Sequence, residues 1–271
     1  MSDAKYQLEN LIYLMQRLRE PESGCPWDLK QSYLSITPST IEEAYEVVDA
    51  IEHEDFDHLR EELGDLLFQV IFYCQLADEE KRFNIHDVVH ALTAKLVRRH
   101  PHVFPAGTLE SRRSSGEVLD EKQIKTSWEN IKQSERQSKG KAGVFDDVPI
   151  SLPGLTRAAK LQKRAAKFGF DWQHRDDVLN KIEEEFTELC EAFEAKNESD
   201  IEEELADLMF SCVNLARHLG RDPDSLMRQA NKKFEQRFSH VVERMEQKQG
   251  NIGQEKFSVE ELEAFWEESK R

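Results

Sequence analysis

The sequence has few of the residues that interrupt helices or cross-link chains. Among 271 residues there are only eleven glycines and eight prolines, which argues against many short strands joined by turns. The four cysteines form no Cys-x-x-Cys pair, as expected of idle or buried reduced thiols in a cytoplasmic protein. The composition therefore favours a helical protein without a disulfide framework.

Long apolar segments and excess positive charge are also missing. No apolar run approaches the roughly 18 residues of a membrane-spanning helix, and no signal peptide is recognisable, so we expect no membrane association. The net charge of −17 opposes nonspecific binding to nucleic acid, so no stable nucleic-acid complex is expected. A polyphosphate substrate would have to be held by metal ions and a few local basic residues.

What the sequence does contain is an acidic pattern that occurs twice. The first copy is Glu42-Glu43-x-x-Glu46, followed after fifteen residues by Glu62-x-x-Asp65. The second copy is Glu184-Glu185-x-x-Glu188, followed after fifteen residues by Glu204-x-x-Asp207, and matching positions lie 142 residues apart. The repetition predicts a duplicated module in which carboxylates converge on a hard divalent metal ion.

Helical periodicity surrounds both copies and predicts an all-α fold with two tandem helical-bundle domains, residues 1–135 and 150–271. Predicted helices cover 6–20, 40 onward, 56–75, 85–99, a short segment around Trp128, 155–167, 176–196, 199–219, 223–249 and 258–270. Thr37 and Ser39 are possible helix caps, and residues 104–122 and 133–155 are predicted loops. We expect Leu59, Leu63, Leu66, Leu67 and Val70 to point inward. Basic and tryptophan motifs later in each half repeat at an offset of 138 residues, four fewer than the offset of the acidic pattern. We therefore expect the two halves to differ by four residues in the loop between their second and third helices.

The spacing of the acidic residues suits a metal site. Residues three apart share a helix face, so Glu185 pairs with Glu188, and Glu204 pairs with Asp207. If the two helices are antiparallel, four carboxylates can face one groove, hold one or two Mg²⁺ and bring a water near a phosphorus atom. The alternative for any single copy is a solvated acidic face. The first half offers a possible second site at Glu43, Glu46, Glu62 and Asp65.

Basic residues distinguish the halves. Lys181 lies one turn before Glu185, and Lys233 lies one turn before Arg237, so these cations can take phosphate oxygens. The first half has Ser39 where the second has Lys181. We therefore expect residues 150–271 to catalyse, and residues 1–135 to stabilise a dimer or bind something else.

Longer motifs resemble a known family. Those motifs are Met15-Gln-Arg-Leu-Arg19, Gly24-Cys-Pro-Trp-Asp28, Gly64-Asp-Leu-Leu-Phe68, Arg98-Arg-His-Pro-His-Val-Phe104, Gly169-Phe-Asp-Trp172 and Val213-Asn-Leu-Ala-Arg217. With the acidic pattern, this ordered set resembles the all-α nucleoside triphosphate pyrophosphohydrolases, and in particular the two-domain MazG proteins. The resemblance covers nearly the whole chain.

The resemblance implies Mg²⁺-dependent hydrolysis of nucleoside triphosphates between the α and β phosphorus atoms, giving a monophosphate and pyrophosphate. It assigns the metal-binding and catalytic roles to Glu185, Glu188, Glu204 and Asp207. It assigns nucleotide contacts to Lys181, Lys233, Arg237, Trp266 and Lys270. It also implies a homodimer whose bundles are completed across the interface. The apolar circumference of the helix after Leu63 leads to the same expectation.

Two other classes of protein are considered. A ferritin-like di-iron protein needs Glu-x-x-His motifs, and no histidine in this sequence follows a glutamate by three residues. A non-enzymatic helical module that binds a nucleotide or a protein without turnover is the alternative function. Pyrophosphate release from individual nucleoside triphosphates would distinguish it from the enzyme.

Overall fold

A computed structural model of the chain describes residues 5–114, 120–138, 143–249 and 257–270. This part of the chain contains ten α-helices and no β-strand, which confirms the predicted all-α class. The helices are α1 (Leu8–Leu18), α2 (Thr37–Glu52), α3 (Phe56–Glu79), α4 (Ile85–Arg99), α5 (Glu121–Ser138), α6 (Gly154–Ala166), α7 (Arg175–Ala195), α8 (Glu198–His218), α9 (Pro223–Gln249) and α10 (Val259–Glu268).

Helix α2 begins earlier than its sequence predicts, and neither proposed cap residue caps it. Ile36 occupies the N-cap position without a side-chain hydrogen bond. The Thr37 hydroxyl instead donates to the carbonyl of Tyr33 at 3.0 Å. Proline is favoured in the first helical turn because its missing N–H has no partner there, so Pro38 explains why the helix starts before residue 40.

Two further boundaries differ from prediction. The loops between the second and third helices of each half are residues 80–84 and 219–222, and they differ by only one residue. The other three residues of the expected four-residue difference lie in α3, which extends to Glu79. Helix α5 runs to Ser138 and therefore covers the start of the predicted connection at residue 133. Of the predicted loops, residues 115–119 and 139–142 lie outside the described residues.

The chain divides into two compact units, Met1–Glu135 and Arg136–Arg271. In the first unit α2 packs closely on α3, and in the second α7 packs closely on α8. The connections are residues 53–55 and 196–197, and links this short make consecutive helices antiparallel. Asp55 and Asn197 cap the second helix of each hairpin by accepting backbone N–H groups. Each acidic pattern thus lies on one antiparallel helical hairpin.

The first unit has a core built from α1, the segment before α2, the C-terminal part of α3 and the start of α4. Its buried members are Met15, Ile36, Ile71, Phe72, Cys74, Leu76 and Ile85. Burying a side chain such as Phe72 contributes roughly 1.5–3 kcal/mol. The N-terminal part of α3 behaves differently, because Leu63, Leu67 and Val70 are exposed in the single chain, so the prediction that they point inward is wrong.

Two general expectations can be compared with the fold. No helix in the described ranges is both long and apolar enough to cross a membrane. All four cysteines are free: Cys74 is buried, Cys25 is half-buried, and Cys190 and Cys212 are exposed.

Candidate functional site

Three of the predicted carboxylates in the second half come together across the α7–α8 hairpin. One carboxylate oxygen each from Glu185, Glu188 and Glu204 lies within 4.8 Å of the other two. Glu185 is 5% exposed, Glu204 is half-buried and Glu188 faces solvent. The i, i+3 spacing places Glu185 and Glu188 on one face of α7, and the antiparallel α8 brings Glu204 opposite them.

Asp207, the fourth predicted ligand, is exposed on α8 and lies outside this group of three. Its charge nevertheless acts on the same site. The pKa of Glu204 is raised first by burial and then by the charges of Glu188 and Glu185, with smaller contributions from Glu203 and Asp207. A carboxylate whose pKa is raised by like charges is stabilised by an added cation. The role of Asp207 as a ligand stays a prediction.

Lys181 is the cation nearest to this cluster. Its Nζ lies 2.9 Å from Oε1 of Glu185 and 2.7 Å from Oε1 of Glu184. Hydrogen bonds to Glu184 and Glu185 raise the pKa of Lys181. Since a buried carboxylate is costly without a partner, this ion pair stabilises Glu185 in its position on α7.

The other predicted nucleotide contacts form a separate group on α9 and α10. The Arg237 guanidinium lies 5.9 Å from the ring centroid of Trp266, and the Phe234 ring lies 5.6 Å from it. Lys233 is exposed on α9, and Lys270 pairs with Glu267. Among the described residues, no hydrogen bond or ion pair joins these side chains to the carboxylates of α7 and α8. The structure therefore assembles the predicted site as two groups.

The first half contains a matching carboxylate cluster with a different partner. Glu43, Glu46 and Glu62 again place one oxygen each within 4.8 Å of one another. Here the buried member is Glu62 on the second helix, and His58 Nε2 lies 2.7 Å from its Oε1. Asp65 lies outside the group of three. The pKa of Glu43 is raised first by burial and then by the charge of Asp65. The two clusters thus differ in which helix supplies the buried carboxylate.

Comparison with known proteins identifies the family of this chain. The family model of the MazG nucleotide pyrophosphohydrolase domain matches residues 31–104 and, again, residues 173–242. The chain belongs to the MazG family. Both matched segments contain a complete acidic pattern, and the second also contains Lys181, Lys233 and Arg237, whereas Trp266 and Lys270 lie outside it.

Curated relatives align with this chain over most of its length. The nucleoside triphosphate pyrophosphohydrolase of Escherichia coli K12 is 48% identical over 269 residues, which cover 98% of this MazG chain and 97% of the relative. The nucleoside triphosphate pyrophosphohydrolase/pyrophosphatase MazG of Thermotoga maritima is 41% identical over 270 residues, covering 100% and 98%. The uncharacterized protein YabN of Bacillus subtilis is 40% identical over 258 residues, covering 95% of this chain and 50% of the relative.

One group of interacting side chains at the end of α8 has no role predicted from the sequence. Arg217 on α8 donates through Nη1 to Asp171 at 2.9 Å and through Nε to the buried Asn214 at 2.9 Å. His218 Nε2 also lies 2.9 Å from Asp171. These bonds fix the segment after α6 against the end of α8. Asp171 and Arg217 are 46 residues apart, so no helical spacing could have linked them.

This link is expected to contribute to stability in a pH-dependent way. Hydrogen bonds from Arg217 lower the pKa of Asp171 below its ordinary value of 3.8, partly opposed by burial and assisted by His218. A lowered folded-state pKa contributes stability above pH 3.8, and that stability is lost as the pH falls through the lowered pKa. Asp171→Asn should therefore lower the free energy of unfolding near pH 7 by about 1 kcal/mol or less, since the pair is partly exposed.

Urea unfolding of the wild type and Asp171→Asn checks this expectation. The gap between them should be present from about pH 8 to pH 5, where Asp171 is ionised, and close in stronger acid. Glu246→Gln removes an exposed carboxylate from α9 and serves as the control, with no expected gap. A gap that persists after Asp171 is protonated would show that charge is not its cause.

Proposed function

We propose that residues 150–271 hydrolyse nucleoside triphosphates between the α and β phosphorus atoms in a Mg²⁺-dependent reaction. Membership of the MazG family, together with the full-length relatives, makes the chain a nucleoside triphosphate pyrophosphohydrolase. The observation that carries the assignment to the second half is the group of Glu185, Glu188 and Glu204 with Lys181 beside it. We place the enzyme in the cytoplasm, where its substrates are made.

The donor set suits the proposed metal. Mg²⁺ prefers oxygen ligands and usually keeps several waters, and two or three carboxylates on one open groove meet that preference. Glu185, Glu188 and Glu204 would hold one or two ions, and Asp207, whose charge also acts on Glu204, is the proposed fourth ligand. Bound Mg²⁺ would supply positive charge for the phosphate oxygens and would activate a water.

The chain's own residues have distinct tasks in this proposal. Lys181 holds Glu185 in place and is close enough to the carboxylates to meet a phosphate oxygen beside the metal. Lys233 and Arg237 offer further positive charge for a substrate with a charge near −4, which matters in a protein of net charge −17. The Trp266 ring, which lies near Arg237 and Phe234 of α9, offers a face for a nucleobase.

The first half is proposed to be non-catalytic. It keeps the three clustered carboxylates, but Ser39 stands in place of Lys181 and brings no cation. Phe72 stands in place of the buried Asn214, and its ring packs in the core with the Arg19 guanidinium 5.4 Å from its centroid. The first half therefore lacks a polar group and a cation that the second half has. Its proposed role is to stabilise the dimer or to bind a ligand without turnover.

Measurement of pyrophosphate release tests the function and its alternative together. Each of the eight common ribo- and deoxyribonucleoside triphosphates is supplied separately with Mg²⁺, and both products are identified. Monophosphate and pyrophosphate in equal amounts are expected. Release of inorganic phosphate would contradict the proposed bond cleavage, and binding without turnover would favour the alternative of a helical binding module.

We also propose that the enzyme is a homodimer, because the helical hairpins leave wide apolar surfaces exposed. Leu63 and Leu67 on α3 are exposed, and so are the matching Leu205 and Met209 on α8. Exposed apolar area of this kind on consecutive helical turns usually marks an interface. Sedimentation at micromolar concentration should therefore give twice the chain mass of 31.6 kDa.

A charged substitution provides the control for this prediction. Leu63→Glu should shift the sedimentation equilibrium toward the monomer, because it buries a charge at the proposed interface. Ile150→Glu, in the exposed turn before α6, makes the same chemical change away from the hairpins and should leave the dimer intact. A stable, fully active 31.6 kDa wild-type monomer would refute the dimer.

A further inference from the structure

Two arginines at the end of α4 converge on one carboxylate of α5. Arg98 donates through Nε at 3.0 Å and Nη2 at 2.6 Å to Oε1 of Glu135. Arg99 donates through Nε at 3.1 Å and Nη2 at 2.6 Å to Oε2 of the same residue. Four N–H groups therefore surround one side chain, with one guanidinium on each oxygen.

This arrangement differs from an ordinary surface ion pair. Adjacent residues on a helix point about 100° apart, so Arg98 and Arg99 meet only if both turn toward a common partner. The Glu135 side chain is 15% exposed, and its hydrogen bonds with Arg99 and Arg98 lower its pKa to about 2. A carboxylate that accepts side-on pairs of N–H groups from two guanidinium groups occupies a position that equally suits a phosphate group.

The corresponding arginine of the second half has no such partner. Arg99 matches Arg237 at the offset of 138, and Gln236 stands where the first half has Arg98. Arg237 lies over the Trp266 ring, and it makes no ion pair within the described parts of the chain. In the first half Lys132 lies over the matching Trp128, at 4.0 Å from the ring centroid. Lys132 is three residues before Glu135, so it lies on the same face of α5 and adds positive charge there.

We propose that Arg98 and Arg99 form a latent site for phosphate or pyrophosphate, which Glu135 keeps closed by occupying it. This proposal rests on the proposed assignment of catalysis to the second half, and it adds a reason why the first half is non-catalytic. The absence of a cation at Ser39 removes one phosphate contact from the first half. The carboxylate of Glu135 removes two more by neutralising cations that the chain still carries.

A pyrophosphate titration of the full chain tests the proposal. Lys233→Ala/Arg237→Ala serves as the background, because it weakens anion binding by the second half. Pyrophosphate is titrated calorimetrically into this background and into the background with Glu135→Gln, in EDTA so that no metal mediates binding. Glu135→Gln should tighten binding by at least about tenfold, to one pyrophosphate per chain, because two guanidinium groups lose their internal anion.

Three further variants make the test specific. Glu121→Gln removes the same charge from the exposed start of α5, away from Arg98, Arg99 and Lys132, and should leave the affinity unchanged. Arg99→Ala added to Glu135→Gln should abolish the gain. Glu135→Asp keeps the charge on a shorter side chain that cannot reach both arginines, so an intermediate gain is expected even if Glu135→Gln perturbs α5.

The proposal is overturned if pyrophosphate affinity stays within about twofold in both Glu135 variants. It is equally overturned if Glu121→Gln gives the same gain as Glu135→Gln, because the effect would then be general electrostatics. This measurement requires no turnover, so an inactive second half would leave its result unchanged. The two proposals can therefore fail separately.

Discussion

Glu204→Gln is expected to lower pyrophosphate release by about a thousandfold while the protein stays folded. Glu204 is the member of the cluster that α8 contributes, and its carboxylate closes the group that α7 begins with Glu185 and Glu188. Glutamine keeps the size of the side chain and removes its charge. The loss of a metal ligand commonly costs several kcal/mol of transition-state stabilisation. Because the change also relieves repulsion among the three carboxylates, thermal stability without metal should not fall.

Glu62→Gln is the matched control, because it makes the same change at the same position of the first half. Initial rates with saturating Mg²⁺ and a preferred substrate compare the two variants with the wild type, and excess EDTA should abolish all three rates. Little loss in Glu62→Gln is expected. Abolished activity there, with normal activity in Glu204→Gln, would reverse the assignment of the halves. Equal partial losses would mean that both halves catalyse, and full wild-type activity in EDTA would exclude the metal.

Lys181→Met should have the second largest effect, about a hundredfold on kcat/KM. The substitution keeps an unbranched side chain of nearly the same length but removes the charge that pairs with Glu184 and Glu185. Two consequences follow from the geometry. The buried Glu185 loses its nearest cation and is less firmly positioned, and a phosphate oxygen beside the cluster loses a donor.

Stability measurements separate these two consequences. In EDTA the variant should unfold at a lower urea concentration than the wild type. Its free energy of unfolding should be lower by about 1–3 kcal/mol, because Glu185 is left buried without its partner. Mg²⁺ should recover most of that loss if it binds the cluster, but it should not recover the rate. Lys163→Met on α6 changes an exposed lysine in the same way and should alter neither property. Normal kcat/KM in Lys181→Met would exclude a role for this lysine in the reaction.

The sequence predicted helices best where an apolar period is bounded by local signals. Helix α4 follows the cap residue Asn84 and ends before Pro101, and its predicted and observed bounds agree. Helix α5 was predicted too short because part of its stabilisation comes from Glu135, whose arginine partners lie 36 and 37 residues away. The exposed Leu63 and Leu67 show a different limit. Composition reveals that a face is apolar, but it does not reveal whether that face is covered by the same chain.

The candidate site shows the same division between local and distant information. Helical spacing predicted the convergence of Glu185, Glu188 and Glu204, because each pair involves either one helix or one short hairpin. The pairing of His58 with Glu62 was also within reach, since i, i+4 residues share a helix face, but the sequence does not show which glutamate is buried. The link between Asp171 and Arg217 depends on tertiary packing and carried no periodic signal.

The two-residue link between α7 and α8 has a consequence for the order of folding. Contacts between residues close in sequence form faster than distant ones, because less chain entropy is lost in closing a short loop. Residues 185–204 contain all three clustered carboxylates of the second half, so the hairpin can assemble them before α6 or α9 docks. The charge repulsion among these carboxylates is therefore present from an early stage of the folding pathway. The nascent hairpin, and not only the finished enzyme, must have enough packing energy to withstand that repulsion.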